Sequence, residues 1–178
     1  MKNTLFCITL LCTLLLVGCI GEGNPNGIDT SKINIDTVDL SGCFEDTAER
    51  NYQSVEHIEI TEKLEYIVED EVGNYLQDLV IWRYKSATKA SGEVTKGLTD
   101  PSCQHKTCEN ANVQGYNAAK IKTEWELRKE QGEASYSTEY VVAINDLLIS
   151  SIGNGYTWDE SENYAKSAID CVISAMSD

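Results

Sequence analysis

The chain has 178 residues, 14 Lys and Arg against 29 Asp and Glu, a formal charge of −15, seven cysteines and two prolines. One domain's length of chain with 42% hydrophobic residues, nine Tyr and three Trp can build a core, which excludes wholesale disorder. The charge excludes an electrostatic grip on nucleic acid or on an anionic membrane surface, since both need cationic patches that release counterions.

Lys2 precedes a run from Leu5 to Val17 that carries no charge, and Gly18-Cys19 follows it. A charged start and an apolar stretch make residues 1–18 a secretory signal peptide. The thirteen residues of the run span roughly 20 Å as a helix, short of the roughly 30 Å hydrocarbon core, so they suit a leader better than a permanent span. Leu16-Val17-Gly18-Cys19 resembles the lipobox of prokaryotic lipoproteins, and Ile20-Gly21 brings it nearer to archaeal surface lipoproteins than to enterobacterial ones. The resemblance implies cleavage before Cys19 and lipid on the Cys19 thiol. The chain would then sit on the extracytoplasmic face of the cell membrane, held by lipid alone because its body is acidic. Stable attachment of that kind needs more than one acyl chain.

Residues 20 to about 40 are rich in Gly, Asn, Asp, Ser and Thr and contain Pro25, with no helical period. They are expected to form, with the lipidated Cys19, a flexible tether over 19–40, followed by a single extracytoplasmic domain over 41–178. The alternative is that Ile33, Ile35 and Val38 make a short edge strand on the domain.

Leu64, Ile67, Val68, Val72, Tyr75, Leu76 and Leu79 fit a helical period, yet Gly73-Asn74 parts two segments rich in Tyr, Val and Ile. A hairpin is the preferred reading, with Leu79 to Tyr84 its firmer strand. Ala87 to Lys96 reads as a short helix weakened by Gly92 and Thr95. Lys120 to Leu127 alternates, with Ile121, Thr123, Trp125 and Leu127 on one face and charges on the other, as a half-buried antiparallel strand does. Tyr136 to Ile144 alternates too, Asn145-Asp146 is a turn signal, and Leu147 to Ile152 completes a three-stranded meander. Gly153-Asn154-Gly155 is expected to break the sheet. Thr157-Trp158-Asp159-Glu160 is a capping box. Trp158, Ser161, Ala165, Ala168, Ile169, Val172 and Met176 then recur at helical spacing, as expected of a C-terminal amphipathic helix packed on the sheet. The fold class is α+β. Its order of hairpin, short helix, meander and closing helix resembles small exported domains of the PsbP/Mog1 and kinase-sensor kind, a resemblance that transfers no functional residue.

Cys7 and Cys12 leave with the leader and Cys19 is spent on lipid, so the domain keeps Cys43, Cys103, Cys108 and Cys171. Outside the cytoplasm an even number favours two disulfides, with three connectivities among which sequence does not choose. The preferred pairing joins Cys103 to Cys108 and Cys43 to Cys171. His105, between Cys103 and Cys108, admits a metal reading, but the oxidising location and the lack of a second Cys/His pair at zinc spacing weigh against it. The spacing is also not that of a redox Cys-x-x-Cys.

No phosphate loop, nucleophile elbow, His-Glu-x-x-His helix or EF-hand pattern occurs, so no catalytic residue, metal or cofactor is expected. His57 and His105 read as surface histidines. Glu69, Asp70 and Glu71 offer oxygen ligands for a hard cation, against the simpler reading of a solvated turn. Trp82, Trp125 and Trp158 lie on apolar stripes and read as core before pocket. These features point to a binding, sensor or structural component of the cell envelope, whose partners are the membrane, through Cys19, and a protein or small-molecule ligand. The alternative is an extracytoplasmic hydrolase whose site assembles from residues distant in sequence.

Overall fold

The computed structural model describes residues 24–44, 48–71, 73, 75–99, 106–127 and 133–177. Seven strands form one antiparallel sheet: β1 (Glu49–Ser54), β2 (Ile60–Glu69), β3 (Tyr75–Tyr84), β4 (Thr107–Val113), β5 (Tyr116–Leu127), β6 (Glu133–Ile144) and β7 (Leu147–Gly155), in spatial order β1-β2-β3-β7-β6-β5-β4. Helix α1 (Ala87–Thr99) joins β3 to β4, and α2 (Trp158–Ser177) closes the chain. The α+β class, the hairpin, the meander and both helices agree with the sequence reading.

Side chains alternate between the two faces of a strand, so the strand register fixes which residues share a face. One row, Leu64, Ile81, Ile149, Val142, Ala118 and Ala111, crosses from β2 to β4. It lies in a core closed by Ala165, Ala168, Ile169, Val172 and Ile173 of α2. On the opposite face Ala90 and Val94 of α1 pack with Tyr84, Leu148, Val141 and Ala119. The two helices therefore cover opposite faces. The capping box holds α2 at its start: Thr157 Oγ1 accepts from the Glu160 amide at 3.2 Å, and Glu160 Oε2 accepts from the Thr157 amide at 3.1 Å.

The glycines expected to end the sheet at residue 153 instead carry β7 on to Gly155. A Cβ built on Gly153 would lie 2.2 Å from the Ser161 carbonyl oxygen and 2.5 Å from the Ala165 amide nitrogen. The glycine is there so that α2 can sit against the strand backbone. Gly153→Ala is expected to push the helix off the sheet and cost about 2–3 kcal/mol, the scale of an overpacked core, read as a lower urea midpoint with an unchanged slope.

The tether expected over 19–40 differs from what is found. Residues 19–23 lie outside the described residues, but 24–44 form a strap across the α2 side of the sheet. Ile28, Ile35 and Leu40 are buried in the main core. The strap is neither coil nor the alternative edge strand; it runs through 3-10 turns at Thr30–Lys32 and Ser41–Cys43. Its Asn and Asp side chains serve its own backbone. Asn24 accepts from the Ile28 amide, Asp29 from Ser31, Asn34 from Asp36 and Asp39 from Ser41. Such local bonds let a polar stretch fold back and bury every few residues an aliphatic one. Residues 24–40 thus pack with the folded body.

Arg83 of β3 fastens the strap. Its guanidinium meets Glu62 at 2.7 Å and Asp146 at 2.7 Å, and donates to the carbonyls of Thr30 at 3.2 Å and Ile33 at 2.6 Å. At the far end Cys43 is bonded to Cys171 of α2, with Cα atoms 5.5 Å apart across 128 positions of sequence. Of the two bridges expected, this one is found among the described residues. Cys103 lies outside them, and Cys108, on β4, is not a free thiol.

Candidate functional site

The β4–β5 hairpin turns on Gln114 and Gly115, both at positive φ, +51° and +90°. That is the primed turn whose twist matches a hairpin, and it admits glycine readily at the second position. Asn112 Oδ1 braces it from inside by accepting from the Gly115 amide at 3.0 Å. From outside, Gln114 Nε2 donates to the Asp170 carbonyl of α2 at 2.6 Å. The start of the strap lies over the tip. Tyr116 donates its hydroxyl to Asn24 Oδ1 at 2.6 Å, and Asn26 Nδ2 donates to the Gln114 carbonyl.

Between this hairpin and α1 lies a cleft of about 610 Å³, within the range usual for small-molecule sites. One wall is a single face of α1, residues Ala87, Ser91, Val94, Thr95 and Leu98. The floor is the sheet end at Asn110, Ala111, Asn117, Ala118 and Ala143, and the β6–β7 turn and the strap's Asn24-Pro25 close the ends. Among the described residues lining it there is no Asp, Glu, Lys, Arg or His. Burial pushes the Tyr116 hydroxyl up, so the cleft stays neutral over the physiological range. Asn24 and Asn145 are spent on the frame, each bonding the Ile28 backbone. Asn110 and Asn117 are exposed and make no side-chain hydrogen bond among the described residues.

Two charge clusters lie elsewhere. On the α1 face of the sheet Asp78, Ile152 and Glu139 share one cross-strand row, with Glu65 diagonal to Asp78. Burial, the nearby Glu65 and then Glu139, only partly offset by Lys63, push Asp78 up to about 6, and its Oδ1 is buried without a partner. On the α2 face Glu162 meets Lys120 at 2.5 Å and Lys122 at 2.9 Å and accepts from the Tyr140 hydroxyl at 3.0 Å. Burial works to raise Glu162, but those three bonds outweigh it and hold the carboxyl down to about 2. Lys120 and Lys122 also lie over the rings of Tyr140 and Trp158. With Glu109 also 3.5 Å from Lys120, two carboxylates balance two ammoniums and the second cluster is structural.

The two carboxyls act on stability in opposite directions. The Asp78 penalty is present above about pH 6 and is relieved as pH falls towards 4, because the folded state holds that proton more tightly. The Glu162 contribution is present above about 4.5 and is lost as pH falls towards 2. Chemical denaturation is therefore expected to give greatest stability between about pH 4 and 5. Asp78→Asn should be more stable than the parent at pH 7 by about 1 kcal/mol, a value discounted for solvent screening, and should lack the rise between pH 6 and 4.

The residues singled out by sequence are dispersed. His57 is exposed in the β1–β2 loop, where its Nδ1 accepts from the Glu59 amide, and His105 lies outside the described residues. Glu69, Asp70 and Glu71 sit at the β2–β3 turn, where no cluster of three metal-ligating side chains occurs among the described residues. Trp82 packs on the α1 side, whereas Trp158 rests on Tyr136 on the other, ring centroids 4.7 Å apart. They do not line one pocket. The cleft's asparagines went unnoticed because lone Asn residues read as turn formers; only their convergence marks them.

No family model matches the chain, and no curated protein matches it. Among solved structures it is similar to the extracellular domain of PknH from Mycobacterium tuberculosis, at a TM-score of 0.45 and 12% identity over 67% of this chain and 66% of that one. No residue, ligand or partner carries over at that level. No helix among the described residues is long and apolar enough to cross a membrane.

Proposed function

We propose that the chain is a lipid-anchored extracytoplasmic binding domain, attached through Cys19 and taking its ligand in the cleft between α1 and the β4–β5 hairpin. The observation that carries this reading is the cleft itself. It has the volume of a ligand site, two carboxamides facing it without partners, and no Asp, Glu, Lys, Arg or His among its described lining residues to activate the hydroxyls of Ser91 and Thr95. Asp78, the carboxyl with the raised affinity for its proton, belongs to β3, three strand spacings from β5 and so roughly 14 Å away. That separation favours binding over the hydrolase alternative. An oxidising compartment is supported by the Cys43–Cys171 bridge, and a second bridge from Cys103 to Cys108 is part of the same proposal.

Two measurements test it on the full-length protein. Expression with a radiolabelled fatty acid should label the chain and hold it in the membrane fraction, and Cys19→Ala should abolish both. Ligand-observed NMR with a library of uncharged small molecules should give binders that are lost in Ser91→Trp, which fills the cleft from a surface position of α1. A labelled Cys19→Ala chain, or binders indifferent to Ser91→Trp, would overturn the corresponding half.

A further inference from the structure

Resting on the reading of the cleft as a binding site, we infer that its ligand is a neutral saccharide, gripped by the Asn110 and Asn117 carboxamides. Charge gives the first restriction. With a net charge of −15 on the molecule and no Lys or Arg among its described lining residues, the cleft disfavours phosphates, carboxylates and uronic acids. A cation would be drawn in, yet no described lining residue has a carboxylate to receive it. What remains is an uncharged ligand.

Hydrogen bonding gives the second. A carboxamide presents a donor and an acceptor side by side in one plane, and a sugar hydroxyl is likewise both. Asn110 lies opposite Ala119 and Asn117 opposite Asn112, so the two asparagines are diagonal neighbours across β4 and β5 on the α1 face. Such neighbours stand about 7 Å apart, the reach needed to hold hydroxyls on opposite sides of one pyranose ring. The apolar side chains of Val94 and Leu98 line the same space and suit the C–H face of the ring.

A peptide is disfavoured by the direction of the cleft. Strand addition needs a row of free main-chain groups along an edge, but the cleft crosses the ends of the strands. Of β4 only Asn110 and Ala111 line it. The ring nearest the site, Tyr116, is only 4% exposed, so no aromatic platform is offered for stacking. Affinity for one sugar unit is therefore expected to be weak, on the order of millimolar.

The test is titration of isotope-labelled full-length protein in detergent, followed by NMR. The probes are methyl α-glucoside, methyl α-mannoside, N-acetylglucosamine and maltose, with glucuronate and N-acetyl-alanine amide as comparators. At least one neutral sugar should shift the side-chain amides of Asn110 and Asn117. Asn110→Ala and Asn117→Ala should each weaken that sugar about tenfold with the backbone spectrum intact, and glucuronate should bind at least tenfold more weakly. Ser91→Trp, from the opposite wall, should remove binding even where an asparagine variant fails to fold. If the dipeptide amide shifts the two asparagines and no sugar does, or if glucuronate binds as well as the neutral sugars, the saccharide assignment fails while the cleft remains a binding site. If no probe shifts them and no member of the wider library depends on Ser91, both fail.

Discussion

Cys171→Ser is expected to lower the stability of the folded domain by about 3–5 kcal/mol and its Tm by roughly 10 °C. The bridge it removes joins positions 128 apart, and in the chain-entropy model a loop of that length gains nearly the largest effect a single crosslink offers. Part of the loss is local. Cys43 ends the strap, and without the bond that end is held to α2 by packing alone, with Phe44 stacked on Tyr66 at 5.3 Å beside it. Thermal unfolding of the variant, and of the parent with and without reductant, checks this. A reductant-treated parent that melts with the untreated one would show that the crosslink constrains little.

Arg83→Met is expected to cost about 3 kcal/mol and to release the strap before the sheet unfolds. The guanidinium serves four partners on three segments, and its side chain is 17% exposed. Its loss leaves Glu62 and Asp146 as half-buried carboxylates facing no cation, and takes from the Ile33 carbonyl its donor, while the Thr30 carbonyl keeps the bond from the Ile33 amide. Breaking a buried pair from one side is costly for that reason. Arg83→Lys should recover little, since one ammonium cannot reproduce a planar fork. Removing all three charges by adding Glu62→Gln and Asp146→Asn should recover part of the loss. Hydrogen exchange at Ile33 to Leu40 should quicken in Arg83→Met while that of β7 changes much less. Combined with Cys171→Ser the effects should be less than additive, because both variants free the same strap.

Where periodicity was strong, the sequence reading and the structure agree. The alternation from Lys120 to Ile152, the capping box at Thr157 and the spacing of Ala165, Ala168, Ile169 and Val172 are local signals whose burial follows from strand or helix geometry. The edge strands were missed for a related reason. β1 reads Glu-Arg-Asn-Tyr-Gln-Ser and β4 Thr-Cys-Glu-Asn-Ala-Asn-Val. An edge needs few apolar side chains and is protected by polar ones, so neither segment carries enough apolar positions to read as a strand.

The strap and the cleft were illegible for a different reason. Ile28, Ile35 and Leu40 follow no period because 3-10 turns and side-chain caps, rather than a repeating backbone, bring them to the core. The residues about the cleft come from five separate stretches of chain. None of those stretches differs by composition from an ordinary turn or helix surface.

Apolar spacing along the chain prescribes the α+β class, the two helices and the half-buried strands, because local geometry converts that spacing directly into a buried face. The even count of cysteines in the body also led to the expectation of crosslinking, which the Cys43–Cys171 bridge meets in part. Long-range packing puts residues 24–44 with the body and sets Arg83 to clamp them. It alone brought Asn110 and Asn117 to face α1 across a neutral cleft. Those relations depend on strand order and on which side of the sheet each connection crosses, and no local property of the chain encodes them.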